Sequence, residues 1–170
     1  MKKAYSTVRA FTLVELLVVV AIIAILTGII LTSLTGSKAK GRDAQRVSDI
    51  GQIQLALELY FDRCHQYPPP DGHLIDNTNT LGKSDGCPSG SNVTFGSYIG
   101  KIPAPPIVTT QSAYDYYTNS ATVPTDYVLH AILEGQSTAS ANSLTPVPSD
   151  ILNGSSLTCD TNMNYCVGPK

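Results

Sequence analysis

Two sets of residues in this sequence have types and spacings that point to chemistry. The first is one carboxylate, Glu15, inside an otherwise apolar run from Phe11 to Leu34. A charge at the centre of a membrane-spanning helix costs about 2.5–3.5 kcal/mol on insertion scales, so such a residue is usually retained because something pairs with it. The second set is four cysteines beyond the apolar run, at positions 64, 87, 159 and 166.

The cysteines are predicted to form disulfides. Lys2, Lys3 and Arg9 precede the apolar run without any acid, which places the N-terminus in the cytoplasm and the cysteines in an oxidising compartment. Four cysteines allow three connectivities, and proximity in the sequence favours Cys64–Cys87 and Cys159–Cys166. A metal site shared with histidines is the alternative, but no CxxC spacing occurs, and no metal ligand is predicted.

Other function classes have little support. The sequence contains no GxSxG, Walker or HExxH motif, which argues against an enzyme. Without residues 1–10 the chain carries 8 basic and 13 acidic residues, a formal charge of −5, so no nucleic-acid partner is expected. The histidines, at 65, 73 and 130, are interpreted as structural. No cofactor is predicted; calcium remains an alternative for the loop aspartates, which are Asp71, Asp76, Asp85, Asp150 and Asp160.

The apolar run itself has three interpretations. A secretory signal peptide with a small-residue site at Ser37-Lys38-Ala39 conflicts with a run of about 24 residues, since such signals have 7–15 apolar residues. A plain anchor fits the length, because 24 helical residues extend about 36 Å against a hydrocarbon core of about 30 Å. It leaves Glu15 without a role.

The third interpretation explains both the length and the charge. The segment RA-FTLVELLVVVAIIAIL resembles the N-terminus of type IV prepilins and type II secretion pseudopilins. The resemblance implies a leader over residues 1–10, cleavage between Ala10 and Phe11, methylation of Phe11, and an assembly role for Glu15 as the fifth mature residue. The family mostly has glycine before the cut, where this chain has Ala10.

The resemblance also implies partners and a location. The chain would be a structural subunit that a prepilin peptidase cleaves and an inner-membrane assembly platform polymerises into a homo-oligomeric filament. It would cross the cytoplasmic membrane once, with its C-terminus outside, before joining an extracellular or periplasmic filament. A type IV pilus subunit is the leading interpretation; the alternatives are a type II secretion pseudopilin, a minor or DNA-uptake pilin, and a membrane-anchored extracytoplasmic binding protein.

The elements that must position these residues form an α+β fold of the pilin type. Residues 11–35 are predicted as the membrane and assembly half of a long helix, and residues 36–63 as its amphipathic half, ending near Cys64 before three prolines. Apolar spacing predicts a core stripe on this half of the helix, and Arg46 and Asp49 lie off that stripe. The residues of the stripe are Ala44, Val47, Ile50, Ile53, Leu57 and Tyr60.

Residues 64–170 are predicted as an outer domain with long loops and a small antiparallel sheet packed on that stripe. Strands are expected at Ser112–Asn119 and Asp126–Glu134, with a third around Val93–Ile99. Alternation in the second strand suggests that both of its faces are covered. The tail from residue 135 is expected to cover a sheet edge.

Overall fold

The structure is a computed structural model that describes residues 11–70, 74–75, 87, 94–106, 111–120, 122–135, 143–151, 157, 159 and 163–169, with the backbone alone at residues 30–35 and 74. The fold is α+β, as the sequence predicts, with one long helix and a four-stranded antiparallel sheet. The chain divides into two compact units, Met1–Lys38 and Ala39–Lys170, which are described separately below.

Helix α1 spans Leu13–Cys64 and ends where the sequence predicts. His65 adopts a left-handed conformation with φ 55°, and its backbone N–H donates to the Phe61 carbonyl at 2.7 Å. A left-handed residue just past the last turn is a common way to close a helix, and the prolines that follow cannot continue it.

The sheet has the strand order β1-β2-β3-β4, and every pair is antiparallel. The strands are β1 (Leu74–Ile75), β2 (Tyr114–Thr118), β3 (Tyr127–Ile132) and β4 (Asn164–Val167). The two better strand predictions are confirmed, since β2 and β3 lie inside the predicted ranges. The register places His130 opposite Asp115 on one side and Cys166 on the other.

The third predicted strand, around Val93–Ile99, is wrong. Phe95–Ser97 forms a short 3-10 helix, in which the Ser97 N–H donates to the Thr94 carbonyl at 2.9 Å. Phe95 is fully buried in the core. A tight turn that anchors one aromatic ring therefore replaces the extended conformation that the β-branched residues indicated.

The main core lies between the second half of α1 and the sheet. Ile50, Ile53, Leu57 and Tyr60 are fully buried there, as predicted, against aromatic side chains of the sheet, which include Tyr114, Tyr116 and Tyr127. The predicted stripe is wrong in its first turns, because Ala44 is exposed and Val47 only half-buried. The buried face there consists of polar residues instead, namely Asp43, Arg46 and Asp49.

The opposite face of the sheet has its own, smaller core. Val128 of β3 and Cys166 of β4 pack with Ile151 and Cys159, and Leu144, Val147 and Leu157 lie around them. The tail therefore does more than cover a sheet edge: β4 extends the sheet beside β3, and the segment before it covers the second face. Both faces of β3 are buried, which the alternation in its sequence indicated.

Two disulfides tie the loops to this framework. Cys64–Cys87 joins the end of α1 to the loop region, and Cys159–Cys166 joins the tail to β4. These are the pairs that proximity in the sequence favoured. The partners are 23 and 7 positions apart in the sequence, so each disulfide closes a short loop and limits the freedom of the chain within it.

Candidate assembly site at the start of the long helix

Glu15 lies in the first turn of α1, where it forms a reciprocal cap with Thr12. The backbone N–H and the hydroxyl of Thr12 both donate to Glu15 Oε2, at 2.9 and 2.7 Å. The Glu15 N–H donates in turn to the Thr12 hydroxyl oxygen at 3.2 Å. This capping box satisfies two backbone donors that a helix start otherwise leaves open.

The side chains around this cap are apolar and exposed. From Phe11 to Ile29, the large hydrophobic side chains have exposed fractions between 49% and 85%. Phe11, the residue at the predicted cut, is the most exposed of them. An apolar surface that extends over nineteen residues is typical of a site that contacts a membrane or another protein.

Within the stretches that the structure describes, no helix combines the length and apolar content that crossing a membrane requires.

The predicted site residues fall into two places. Phe11 and Glu15 lie within one turn of each other at the start of α1, and Ala10, on the other side of the predicted cut, lies outside the described residues. The four cysteines lie in the second unit, and all of them are in disulfides. The cysteines therefore stabilise the second unit, Ala39–Lys170, which is called the outer unit below. They are not part of the candidate assembly site.

The outer unit contains its own cluster of charges, and these are paired within the chain. Arg46 is fully buried and contacts Asp43 and Glu134, each at 2.8 Å. Asp43 also accepts the backbone N–H groups of Glu134 and Gly135, at 2.8 and 3.1 Å. Arg42 binds Glu134 through Nε at 2.7 Å and through a second guanidinium nitrogen. The four side chains thus connect α1 to the end of β3.

These contacts change the acidity of one member of the cluster. Hydrogen bonds from Arg42 and then Arg46 lower the pKa of Glu134 from 4.5 to about 2. Glu134 therefore remains charged in the folded protein well into the acidic range.

Tyrosine hydroxyls of the sheet donate to two further carboxylates of α1, the buried Asp49 and the half-buried Glu58. Tyr114 donates to Asp49 at 2.7 Å, and Tyr127 donates to Glu58 at 3.0 Å. Burial and the adjacent carboxylate both raise the pKa of Tyr114 and of Tyr127, so both remain hydrogen-bond donors at neutral pH.

The histidines have no catalytic arrangement in the described part of the chain. His130 bridges three strands: Nδ1 lies 2.7 Å from Asp115 Oδ2 on β2, and Nε2 lies 3.0 Å from Asn164 Oδ1 on β4. His65 closes the helix, and His73 lies outside the described residues. The structural interpretation fits His130, because both of its ring nitrogens are used by neighbouring strands.

Metal binding has no support among the residues that the structure covers. No three histidine, cysteine, aspartate or glutamate side chains there lie close enough together to hold an ion. Asp150 lines an open groove of about 500 Å³ together with Asp126. Two carboxylates are fewer ligands than a calcium ion takes. The other candidate aspartates, at 71, 76, 85 and 160, lie outside the described residues.

Sequence reasoning missed two residues of importance. Thr12 was overlooked although its signal is present, since Thr12-Leu13-Val14-Glu15 fits the capping-box pattern before an apolar run. Arg46 was placed off the buried stripe, and its local sequence contains no signal for burial. Its partner Glu134 is 88 residues away, so only the tertiary structure reveals the pair.

Comparisons with known proteins identify the family. Residues 6–31 match the model for the prokaryotic N-terminal methylation motif. The chain is 33% identical over 106 residues to the type II secretion system core protein G of Escherichia coli, covering 61% of this chain and 70% of the relative. It is 32% identical over 96 residues to the core protein G of Aeromonas hydrophila, covering 56% of this chain and 65% of that relative.

A third relative, the core protein G of Vibrio cholerae, is 33% identical over 96 residues, which cover 56% of this chain and 63% of the relative. No solved structure gives a significant match. The relatives are components of a secretion system, and the chain, like them, is a structural protein and not an enzyme. The chain belongs to the family of prepilin-type proteins that includes type II secretion system core protein G.

Proposed function

We propose that this chain is a pseudopilin: a filament subunit of a type II secretion system or of a closely similar machine. It is cleaved between Ala10 and Phe11, methylated on Phe11, and polymerised through the first half of α1. The observation that carries this proposal is the position of Glu15, five residues after the cut, in a helix whose apolar side chains are exposed from Phe11 to Ile29.

Cleavage supplies the charge that Glu15 needs. It creates an α-amine on Phe11, with an unperturbed pKa of about 7.7–8.0, so the amine is largely protonated at neutral pH. Both charges are costly alone in an apolar bundle, and each offsets the cost of the other when they pair. Glu15 of one subunit therefore receives the Phe11 amine of the next, and this pair sets the axial register of the two helices.

Repetition of this contact produces a fibre. Each subunit gives its Phe11 amine to one neighbour and its Glu15 carboxylate to another, so the interface is head-to-tail. Such an interface generates a fibre when the rotation between subunits does not close into a ring. The exposed apolar side chains of α1 then pack against those of neighbouring copies, which covers the surface that the single chain leaves open.

Before assembly, the same apolar segment holds the subunit in the cytoplasmic membrane. The sequence from Phe11 to Leu34 has the length for a single span, and the preceding basic residues orient the N-terminus towards the cytoplasm. The proposed partners are further copies of the chain, a prepilin peptidase and an inner-membrane assembly platform.

The experiment that tests this function is mass determination of the mature N-terminus. The chain is expressed with its cognate peptidase, purified from membranes and digested. A first residue at Phe11 with one added methyl group is the expected result. An N-terminus at Met1, or at Lys40 after a signal-peptide cut, would contradict the proposal.

A type IV pilus subunit remains the second candidate, because the outer unit has a disulfide-closed tail, Cys159–Cys166, over a second core. The relatives favour the secretion system. Deletion of the gene separates the two: a secretion subunit predicts retention of exported proteins in the cell, and a pilus subunit predicts loss of surface filaments with secretion intact.

A further inference from the structure

We propose that Lys38 and Lys40 bind the phosphate groups of anionic phospholipids while the subunit is in the membrane. This role rests on the proposed function, in which the apolar run from Phe11 to Leu34 spans the cytoplasmic membrane before assembly. The two lysines lie beyond the far end of that run, outside the residues that match the methylation motif.

Helix α1 has four basic residues within nine positions after the apolar run, and they differ in their partners. Arg42 and Arg46 belong to the charge cluster of the outer unit, in which two cations and two carboxylates balance each other. Lys38 and Lys40 are exposed, and neither has an ion-pair partner among the residues that the structure describes. Their charges therefore remain available to another molecule.

The acidic residue nearest to the lysines in the sequence, Asp43, does not compensate them. It is 3% exposed, and its carboxylate accepts hydrogen bonds from Arg46 and from two backbone N–H groups. In the other direction no acidic residue occurs before Glu15. The end of the apolar run is thus followed by two uncompensated positive charges.

The positions of the lysines match the thickness of a membrane interface. Lys38 and Lys40 follow Leu34 by four and six residues, which is about 6 and 9 Å along the helix axis. The headgroup region extends about 5–8 Å beyond each side of the hydrocarbon core. A lysine stem is flexible and lies along apolar surface while its ammonium group stays in polar surroundings, so both charges reach the phosphate layer.

The arrangement of the lysines around the helix favours lipids over a protein partner. Successive residues of an α-helix are about 100° apart, so Lys38 and Lys40 project from nearly opposite sides of α1, about 200° apart. A protein that docks on one side of the helix would reach one of them. Headgroups surround a helix that is embedded in a membrane, so each ammonium group can bind a phosphate of its own.

The test measures the lipid preference of the mature chain, purified after peptidase cleavage and reconstituted in phosphatidylcholine vesicles. Cleavage removes the basic residues of the leader, which would bind anionic lipids at the other end of the apolar run. Electron spin resonance of spin-labelled phosphatidylglycerol and phosphatidylcholine gives the association constant of each lipid with the protein. Four chains are compared: the parent, Lys38→Gln/Lys40→Gln, Lys38→Arg/Lys40→Arg and Lys101→Gln.

The parent should prefer phosphatidylglycerol about 3- to 5-fold, since a basic residue near an anionic surface gains about fivefold in affinity. The preference should disappear in the double glutamine chain and persist in the double arginine chain, which keeps both charges. It should also persist in Lys101→Gln, which removes an exposed lysine outside α1. In about 1 M salt the preference should weaken, because the Debye length falls to about 3 Å.

Two results would overturn the role of the lysines and leave the proposed function standing. They are a membrane-embedded parent without any preference, and a preference that the double glutamine chain retains. Equal losses in the double glutamine and Lys101→Gln chains would also overturn it, because the effect would then not depend on position.

Extraction with alkaline carbonate tests the proposed function separately. A parent chain that alkali releases from the vesicles would contradict the membrane stage of that function, and the role of the lysines with it. A chain that the peptidase leaves uncut would contradict the proposed cleavage alone. The same variants would then be compared as precursors, in which the leader is common to all four chains.

Discussion

Helix α1 contains two sets of charged side chains, and they are satisfied in different ways. In the outer unit, the buried Arg46 binds two carboxylates and lies 3.4 Å from the Pro106 carbonyl, all within the chain. In the first unit, the partners of Glu15 among the described residues are confined to Thr12, three positions away. The charge of Arg46 is paired with carboxylates of its own chain, whereas Glu15 has no ion-pair partner among the described residues.

The difference separates folding from assembly. A charge that is paired inside the chain contributes to the stability of that chain, and its removal leaves a buried partner unpaired. A charge whose main partner belongs to another copy contributes to the filament and has little effect on the fold. Substitutions in the two sets should therefore change different measurements.

The largest effect on folding is expected from Arg46→Ala. The substitution leaves Asp43 and Glu134 with one cation fewer and opens a cavity at a fully buried position, so it should lower the free energy of unfolding by about 3–5 kcal/mol. Denaturant unfolding of the purified chain measures this. Arg42→Ala is the matched control, because Arg42 also binds Glu134 but is 36% exposed, and a loss of about 1 kcal/mol is expected there. Equal losses at both positions would contradict the importance of burial.

A smaller effect is expected where a tyrosine of the sheet satisfies a carboxylate of α1. Tyr114→Phe removes the donor to Asp49, which is 6% exposed, and should cost about 1–3 kcal/mol of unfolding free energy. Tyr165→Phe is the control, since no hydrogen bond from that hydroxyl to the described residues is found. The same unfolding measurement should show a change within about 0.5 kcal/mol there. A Tyr114→Phe chain as stable as the parent would show that Asp49 finds another donor.

The smallest effect concerns acid. The pKa of Glu134 is lowered from 4.5 to about 2 in the folded state, so its stabilising contribution is complete above about pH 4.5 and is lost as the pH falls towards 2. Glu134→Gln should flatten the dependence of unfolding free energy on pH in that interval. Asp62→Asn, at an exposed position without an ion pair to the described residues, is the control. Parallel pH profiles for Glu134→Gln and the parent would contradict the ion pairs.

The sequence predicted the elements better than their polar contacts. The end of α1 near Cys64, strands β2 and β3, and the two disulfide pairs follow from signals that are local in the chain, such as prolines, alternation and proximity. Phe95–Ser97 differs from its prediction because capping and burial of one ring outweigh strand propensity. The burial of Arg46 could not be predicted, since its second partner, Glu134, is brought to it by the packing of the sheet on α1.

At the candidate assembly site, the prediction comes from the sequence, and the structure adds one local contact. Glu15, Phe11 and the cut after Ala10 were all predicted from the sequence, because the signal lies in a continuous segment with a characteristic spacing. The structure adds Thr12 and the unequal use of the two carboxylate oxygens. The contact between subunits stays a prediction, because it involves a second chain.

The filament yield of a Glu15→Gln chain tests most directly whether the charge of Glu15 pairs with the Phe11 amine of another subunit. Glutamine keeps an oxygen that accepts the Thr12 hydrogen bonds but has no charge for the Phe11 amine, so capping is preserved and pairing is lost. If the charge of Glu15 joins the subunits, the Glu15→Gln chain has a mature N-terminus at Phe11 and the parental unfolding free energy, and it forms no sedimentable filaments. Filaments in parental amounts would show that the charge of Glu15 does not join the subunits, and would contradict the central claim.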